Sequence, residues 1–178
     1  MGKKRPDAHL YADGCVIQAT NHYGVGWIAT DRKDRRPSEK SLRLSFSRVC
    51  STTTEVYAAA YALLSLRQNS TVIVHSDSSA VCTAIAENEF ESRIKKSNKN
   101  KPLKEAWKTL KAAVQRHTEV TAHFTRETDS TYMQKAHKAA QIGAMKPYDT
   151  EDRDIRRFQK HKKDSIEQEI ELGQLTTA

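Results

Sequence analysis

Long apolar runs are missing from this 178-residue chain. No stretch approaches the ~20 apolar residues of a membrane-spanning helix, so no membrane association of that kind is expected. The charged start, Lys3-Lys4-Arg5, is not followed by an apolar segment, so no secretory signal is expected. Cysteine is scarce. Cys15, Cys50 and Cys82 form no C-x-x-C pair and share no ligand-like spacing with histidine. That pattern excludes a disulfide scaffold and a thiolate zinc site, and it fits reduced, half-buried thiols in a cytoplasmic, reducing compartment. Apolar residues reach only 37% against 29% charged, which implies that part of the chain lies outside the core. No internal repeat is present. The length then suits one domain with a short appendage.

Acidic residues are outnumbered, and the net charge is +8. The surplus is local: from Glu91 to Arg116 stand nine Lys/Arg against two acids, an excess of seven. A concentrated positive charge favours a polyanion, because binding releases condensed counterions. A solvated helix face would carry the same charge without a ligand, so the run by itself leaves both readings open.

The hydrophobic pattern predicts a strand over His9–Ala19, interrupted by Asp13-Gly14. A second strand follows over Tyr23–Ala29, with Gly24 and Gly26 marking a closely approached edge. Ser41–Val49 alternates Leu42, Leu44 and Phe46 against Arg43, Ser45 and Ser47, the period of a half-buried strand. The period then changes. Val56, Ala59, Ala60, Leu63 and Leu64 form a helical stripe within Thr52–Leu66. Thr71–Val74 reads as a buried strand and Asp77–Ala86 as a helix. Phe90–Lys101 reads as a polar, basic loop. Pro102 opens a helix carrying Leu103, Ala106, Trp107, Leu110 and Val114, where Trp107 suits either core or groove. Val120–Phe124 is a strand, Arg126–Ser130 a loop and Thr131–Ala144 an alanine-rich helix. The order β-β-β-α-β-α-α-β-α predicts an α/β fold, a mixed five-stranded sheet flanked by helices. The expected domain runs over residues 7–147, followed by a charged extension, 148–178, helical or disordered. Between Asp149 and Leu172 that extension holds eight acids and six bases.

Three acids sit where such a sheet brings chain segments together: Asp13 on the first strand, Glu55 in the first turn of a helix, and Asp77 at the end of the fourth strand. Strands one and four are typically neighbours, and ligands collect at strand ends. Gathered carboxylates in a basic protein call for a cation, and hard oxygen donors select magnesium or manganese. Each acid also has a plain structural reading. Asp13-Gly14 suits a turn, Thr52-x-x-Glu55 is a capping-box pattern, and Ser76 or Asp77 suits a helix N-cap.

The motifs, taken in order, resemble the type 1 ribonuclease H family from about His9 to Ala144. Tyr11-Ala12-Asp13-Gly14-Cys15 resembles its first-strand D-G-S motif, and Gly24-Val25-Gly26-Trp27 its glycine-flanked second strand. Ser51-Thr52-Thr53-Thr54-Glu55-Val56-Tyr57-Ala58-Ala59 resembles the T-N-N-x-x-E-L-x-A helix start, and Val72-Ile73-Val74-His75-Ser76-Asp77-Ser78 the V-x-I-x-T-D-S strand end. The resemblance implies a ribonuclease H-like fold and an endonuclease that hydrolyses the RNA strand of RNA–DNA hybrids, leaving 5′-phosphate and 3′-hydroxyl ends. Asp13, Glu55 and Asp77 would hold two Mg2+ ions, with Mn2+ as a substitute. Gly14, Cys15, Ser51, Thr52 and Thr53 would face the RNA minor groove, where the 2′-hydroxyl distinguishes RNA from DNA. Lys95, Lys96, Lys99, Lys101 and Lys104 would contact DNA-strand phosphates, positioning the duplex without reading sequence.

The chain departs from the family pattern in three places. Ala136-His137-Lys138-Ala139-Ala140 aligns with the last-helix stretch preceded by the family's fourth acid, which places His137 there as catalytic residue and metal ligand. This Asp-Glu-Asp-His set resembles that of RuvC-type resolvases. Phe124-Thr125-Arg126-Glu127-Thr128-Asp129 replaces the mobile G-H-x-G loop, with Glu127 or Asp129 placed to assist. Hydroxyl residues replace the asparagine pair before Glu55. Two alternatives follow: a nucleic-acid-binding module on this fold with weakened catalysis, or a different nuclease on the same fold.

Overall fold

Alternation along the first strand decides which side of the sheet carries chemistry. In β1 (Ala8–Ile17), Leu10 and Ala12 enter the large hydrophobic core, whereas Tyr11 joins a second, smaller cluster with Ile28, Met133 and Ala136. Asp13, two residues beyond Tyr11, therefore shares the side of the smaller cluster. The computed structural model describes residues 6–33, 37–46 and 49–147. The expected 148–178 extension lies outside the described residues.

β1 pairs antiparallel with β2 (His22–Asp31), and β2 antiparallel with β3 (Ser38–Leu44). On its other side β1 pairs parallel with β4 (Thr71–Ser76), which pairs parallel with β5 (Glu119–Phe124). The strand order is β3-β2-β1-β4-β5. Helices α1 (Ser51–Leu64) and α4 (Lys101–Gln115) join Leu10, Val72 and Val74 in the large core. Helix α5 (Thr131–Met145) covers the opposite side of β1, β2 and β3. The expected mixed sheet with flanking helices is the observed architecture.

Four local readings change. β2 is not an edge strand: it lies between β3 and β1, and Gly24 and Gly26 serve close approach by α5 instead. β3 starts and ends earlier than its alternation suggested, because pairing with β2 sets its length. Arg43, assigned by period to the solvent side, is 4% exposed and donates to the Lys146 carbonyl at the end of α5. The Lys146 ammonium in turn donates to the Ser41 carbonyl, so two bonds fasten α5 to β3. Finally, the basic loop begins with a short helix, α3 (Phe90–Lys96), and three helices rather than two separate β4 from β5, with α2 (Ser79–Ala86) first. Phe90 is buried, Arg93 pairs with Glu89 at 2.8 Å, and its guanidinium lies 5.2 Å over the Trp107 ring. Tertiary burial of one aromatic residue makes a helix that carries no apolar period. Trp107 itself is core, 2% exposed.

Candidate active site

The structure removes the plain structural reading of each acid. Asp13 is not in a turn but in mid-strand, opposite Gly26 of β2. The N-cap of α2 is Ser78, whose hydroxyl accepts from the Val81 amide at 3.4 Å, so Asp77 stands between strand and helix without capping the helix. The N-cap of α1 is Cys50, which makes no side-chain capping bond, so Glu55 closes no capping box. Gly14 explains why α1 can begin beside β1. A Cβ placed on it would stand 2.5 Å from the Thr54 carbonyl carbon and 2.6 Å from the Glu55 nitrogen. Only a residue without a side chain lets the start of α1 lie against the strand that carries Asp13, and Glu55 follows just after the first turn rather than within it, because the helix begins at Ser51.

On the opposite flank α5 brings His137 to Asp13. Its Nδ1 lies 2.7 Å from Asp13 Oδ2, while the Gly14 amide donates to Oδ1 at 2.7 Å. The second imidazole nitrogen is also engaged: Nε2 lies 2.9 Å from the side-chain nitrogen of Gln141, one turn further along α5. The amide donates to Nε2, which places the ring hydrogen on Nδ1, where it is donated to Asp13. Gln141 escaped the sequence reading, although its i+4 spacing from His137 was a usable signal.

Asp13 is 5% exposed. Burial, then the negative charge of Asp77, push its carboxyl up to about 6, against the bonds from His137 and Gly14. Burial also raises Asp77, which sits at the solvent-facing rim; its own amide and His137 oppose the shift, and the charge of Glu127 adds to it. Asp13, Asp77, His137 and Glu127 therefore share one electrostatic field. Glu55 is half-buried, and no bond ties its carboxylate to Asp13 or Asp77. Among the described residues no three histidine, cysteine or acidic side chains are gathered as a ready metal-binding group. Asp129 accepts from its neighbour Thr128, at 3.2 Å.

A raised carboxyl has a thermodynamic sign. The folded state binds the Asp13 proton more tightly than the unfolded chain, whose aspartate titrates near 3.8. The associated stability is complete below pH 3.8 and is lost as the pH rises through about 6. In EDTA, denaturant unfolding at pH 5 and pH 8 should show a loss of about 1.4 kcal/mol from this group, one pH unit of the raised range lying above pH 5. The loss should vanish in Asp13→Asn.

The residues expected to meet nucleic acid are unequally presented. Gly14, Cys15 and Thr52 are half-buried and Ser51 is exposed. Thr53 is fully buried, its hydroxyl 3.2 Å from Cys50 Sγ, so it presents no group to a ligand. Lys95, Lys96, Lys99 and Lys101 are exposed along α3 and the start of α4. Lys104 is half-buried and donates to Asn98 at 2.7 Å. Between Ser51 and Asn100 lies an open cleft of about 590 Å3, also lined by Val16, Gln18, Tyr23 and Cys50. Phe124, at the end of β5, is 54% exposed, an apolar surface residue that the sequence reading had placed simply in a strand.

An acid on β1 beside another just past the end of the parallel strand β4, with helices on both faces of a 3-2-1-4-5 sheet, defines a ribonuclease H-like class of protein. The sequence profile of RNase H matches residues 5–126, and the chain belongs to the RNase H family. That match stops before α5, so His137 and Gln141 lie beyond it. RNase H1 of the halophilic archaeon Halobacterium salinarum is similar in structure, with a TM-score of 0.58 and 15% identity, covering 76% of this chain and 96% of that one. The RNase H domain of prototype foamy virus has a TM-score of 0.58 and 21% identity, covering 79% and 96%. LC11-RNase H1, solved in complex with an RNA/DNA hybrid, has a TM-score of 0.55 and 19% identity, covering 76% and 97%. These likenesses establish the fold. No curated protein matches the chain in sequence. No helix among the described residues is long and apolar enough to cross a membrane.

Proposed function

We propose that this chain is a metal-dependent endoribonuclease that hydrolyses the RNA strand of RNA–DNA hybrids. The observation that carries the reading is Asp13: a nearly buried carboxylate held beside Asp77, with its pKa driven to about 6. Like charges in a desolvated site are stabilised by a cation. The donor set fits one, because Asp13 and Asp77 supply hard oxygen atoms, Glu55 stands on the adjoining helix turn, and His137 supplies an imidazole. These four residues would hold Mg2+, or Mn2+, as a pair of ions. Such ions supply activation of the attacking water and neutralisation of charge at the departing 3′ oxygen. Asp13 Oδ2 has a second lone pair to offer a cation beside the hydrogen bond from His137 Nδ1, and release of that bond would leave His137 able to hold or move a proton. The exposed lysines of α3 and α4 position the DNA strand through its phosphates. The hydroxyl and amide groups about Ser51 face the other strand.

A second reading has its own observation. His137 already occupies Asp13 at 2.7 Å, and a chain locked in that pair would bind hybrid without turning it over. Thermal unfolding at pH 8 separates the two. For the enzyme, magnesium at tenfold its dissociation constant should raise the Tm by about 3–5 °C relative to EDTA. Asp13→Asn should abolish that rise. A wild-type Tm indifferent to magnesium and manganese would favour the binding module.

A further inference from the structure

The bond between His137 and Asp13 is one link of a longer chain. The Gly14 amide donates to Asp13 Oδ1, His137 Nδ1 donates to Asp13 Oδ2, and the Gln141 amide donates to His137 Nε2. Exposure falls along it: Gln141 is exposed, the His137 side chain is 35% exposed and that of Asp13 is 7% exposed. The donors from α5 all point inward, so each bond polarises the next. The backbone that carries Gln141 has no room to shift, because Ala140 and Ala144 beside it are fully buried against the sheet. What remains adjustable is the amide itself. It carries a donor and an acceptor that exchange places by a half-turn about one bond.

That freedom matters for His137. As the ring stands, it has no lone pair to offer: Nδ1 carries its hydrogen to Asp13, and Nε2 accepts from Gln141. If Nδ1 is to join Asp13 in holding a cation, its hydrogen must go. A neutral ring then carries its hydrogen on Nε2, which faces Gln141. One hydrogen leaves Nδ1 for solvent and one arrives at Nε2, so the ring charge is unchanged. A neighbour that could only donate would leave that new N–H without an acceptor. We propose that Gln141 is a positioning residue of the acid site, its amide donating to His137 in the present state and turning over to accept from Nε2 when Nδ1 holds a cation. An acceptor on the second ring nitrogen is what orients a metal-binding histidine. A group of one kind, only donor or only acceptor, serves one of the two states; the amide serves both. An i,i+4 bond that merely supported α5 would be indifferent to the cation. This role rests on the proposal that the acid site holds a cation, and it adds the residue that lets His137 take part.

The test is calorimetric titration of manganese into the full chain at pH 8, for the wild type, Gln141→Leu and Gln141→Glu. Gln141→Leu removes donor and acceptor together and should bind about tenfold more weakly, the usual effect of losing such a partner. Gln141→Glu keeps an acceptor and should bind at least as tightly as the wild type. The double variant Gln141→Leu/Lys138→Gln makes the same charge change as Gln141→Glu, on the exposed neighbour of His137, without an acceptor at position 141; it should stay weak. Wild-type affinity in Gln141→Leu, a loss in Gln141→Glu equal to that in Gln141→Leu, or recovery in the double variant would overturn the role while leaving the cation reading intact. A wild type that takes up no manganese would overturn both.

Discussion

Asp13→Asn is expected to slow hybrid cleavage roughly a thousandfold or more, equivalent to about 4 kcal/mol of barrier, while hybrid binding changes little. The amide keeps the volume of the carboxyl and can still hydrogen-bond to His137, so the fold is preserved. What it loses is the charge, and with it the reason for a cation to occupy the site. Asp77→Asn should act the same way, since Asp77 is the charge that helps drive Asp13 upward. The double variant should be little worse than either single, because groups that act as a unit are not additive. Single-turnover cleavage and equilibrium binding of the same labelled hybrid measure the two effects separately. Full activity in Asp13→Asn would remove this residue from the chemistry.

The largest effect on stability is expected at Gly26. A Cβ there would stand 2.2 Å from the Ala140 nitrogen and 2.6 Å from the Ala136 carbonyl oxygen of α5. Both are backbone atoms, so no side chain can rotate away. Gly24 meets the same helix as closely, 2.2 Å from the Ala140 carbonyl oxygen and the Ala144 nitrogen. Small residues on α5, Ala136, Ala139, Ala140 and Ala144, are all fully buried against β2 and β1. Gly26→Ala must lift α5 from the sheet, at a cost of at least ~3 kcal/mol, a large share of the 5–15 kcal/mol typical of a domain. Urea unfolding would register the loss as a lowered midpoint. Because His137 rides on α5, the Nδ1–Asp13 contact should open as well. A Gly26→Ala protein as stable as wild type would mean that α5 is not seated as described.

These glycines show what was legible in the chain and what was not. The second-strand pattern Gly24-Val25-Gly26-Trp27 already implied close backbone approach, and the period changes already separated strands from helices. Neither pattern says which element does the approaching, so the sequence alone suggests an edge where β2 lies between two strands. Helix α3 was hidden because its stability comes from Phe90 and the Arg93–Trp107 stack, contacts that exist only after α4 has packed. Alternation points Arg43 outward because it cannot register a helix end that accepts a buried guanidinium.

For the site, Asp13, Glu55 and Asp77 could be nominated from order and expected strand adjacency, yet each kept a local explanation. Those explanations fell to single local facts: Cys50 and Ser78 are the N-cap positions, and Asp13 is paired in mid-strand. His137 lies 124 residues from Asp13, and only the family resemblance connected them beforehand. The bond between them depends on tertiary pairing with no local pattern to announce it.

The most direct test of the account is incubation of the purified chain with strand-labelled RNA–DNA hybrid, duplex DNA and duplex RNA, each with magnesium, manganese or EDTA. Cleavage of the RNA strand in the hybrid alone, abolished by EDTA, is the expected result. Metal-dependent cleavage of duplex DNA instead, or hybrid binding without cleavage under every metal condition, would contradict it.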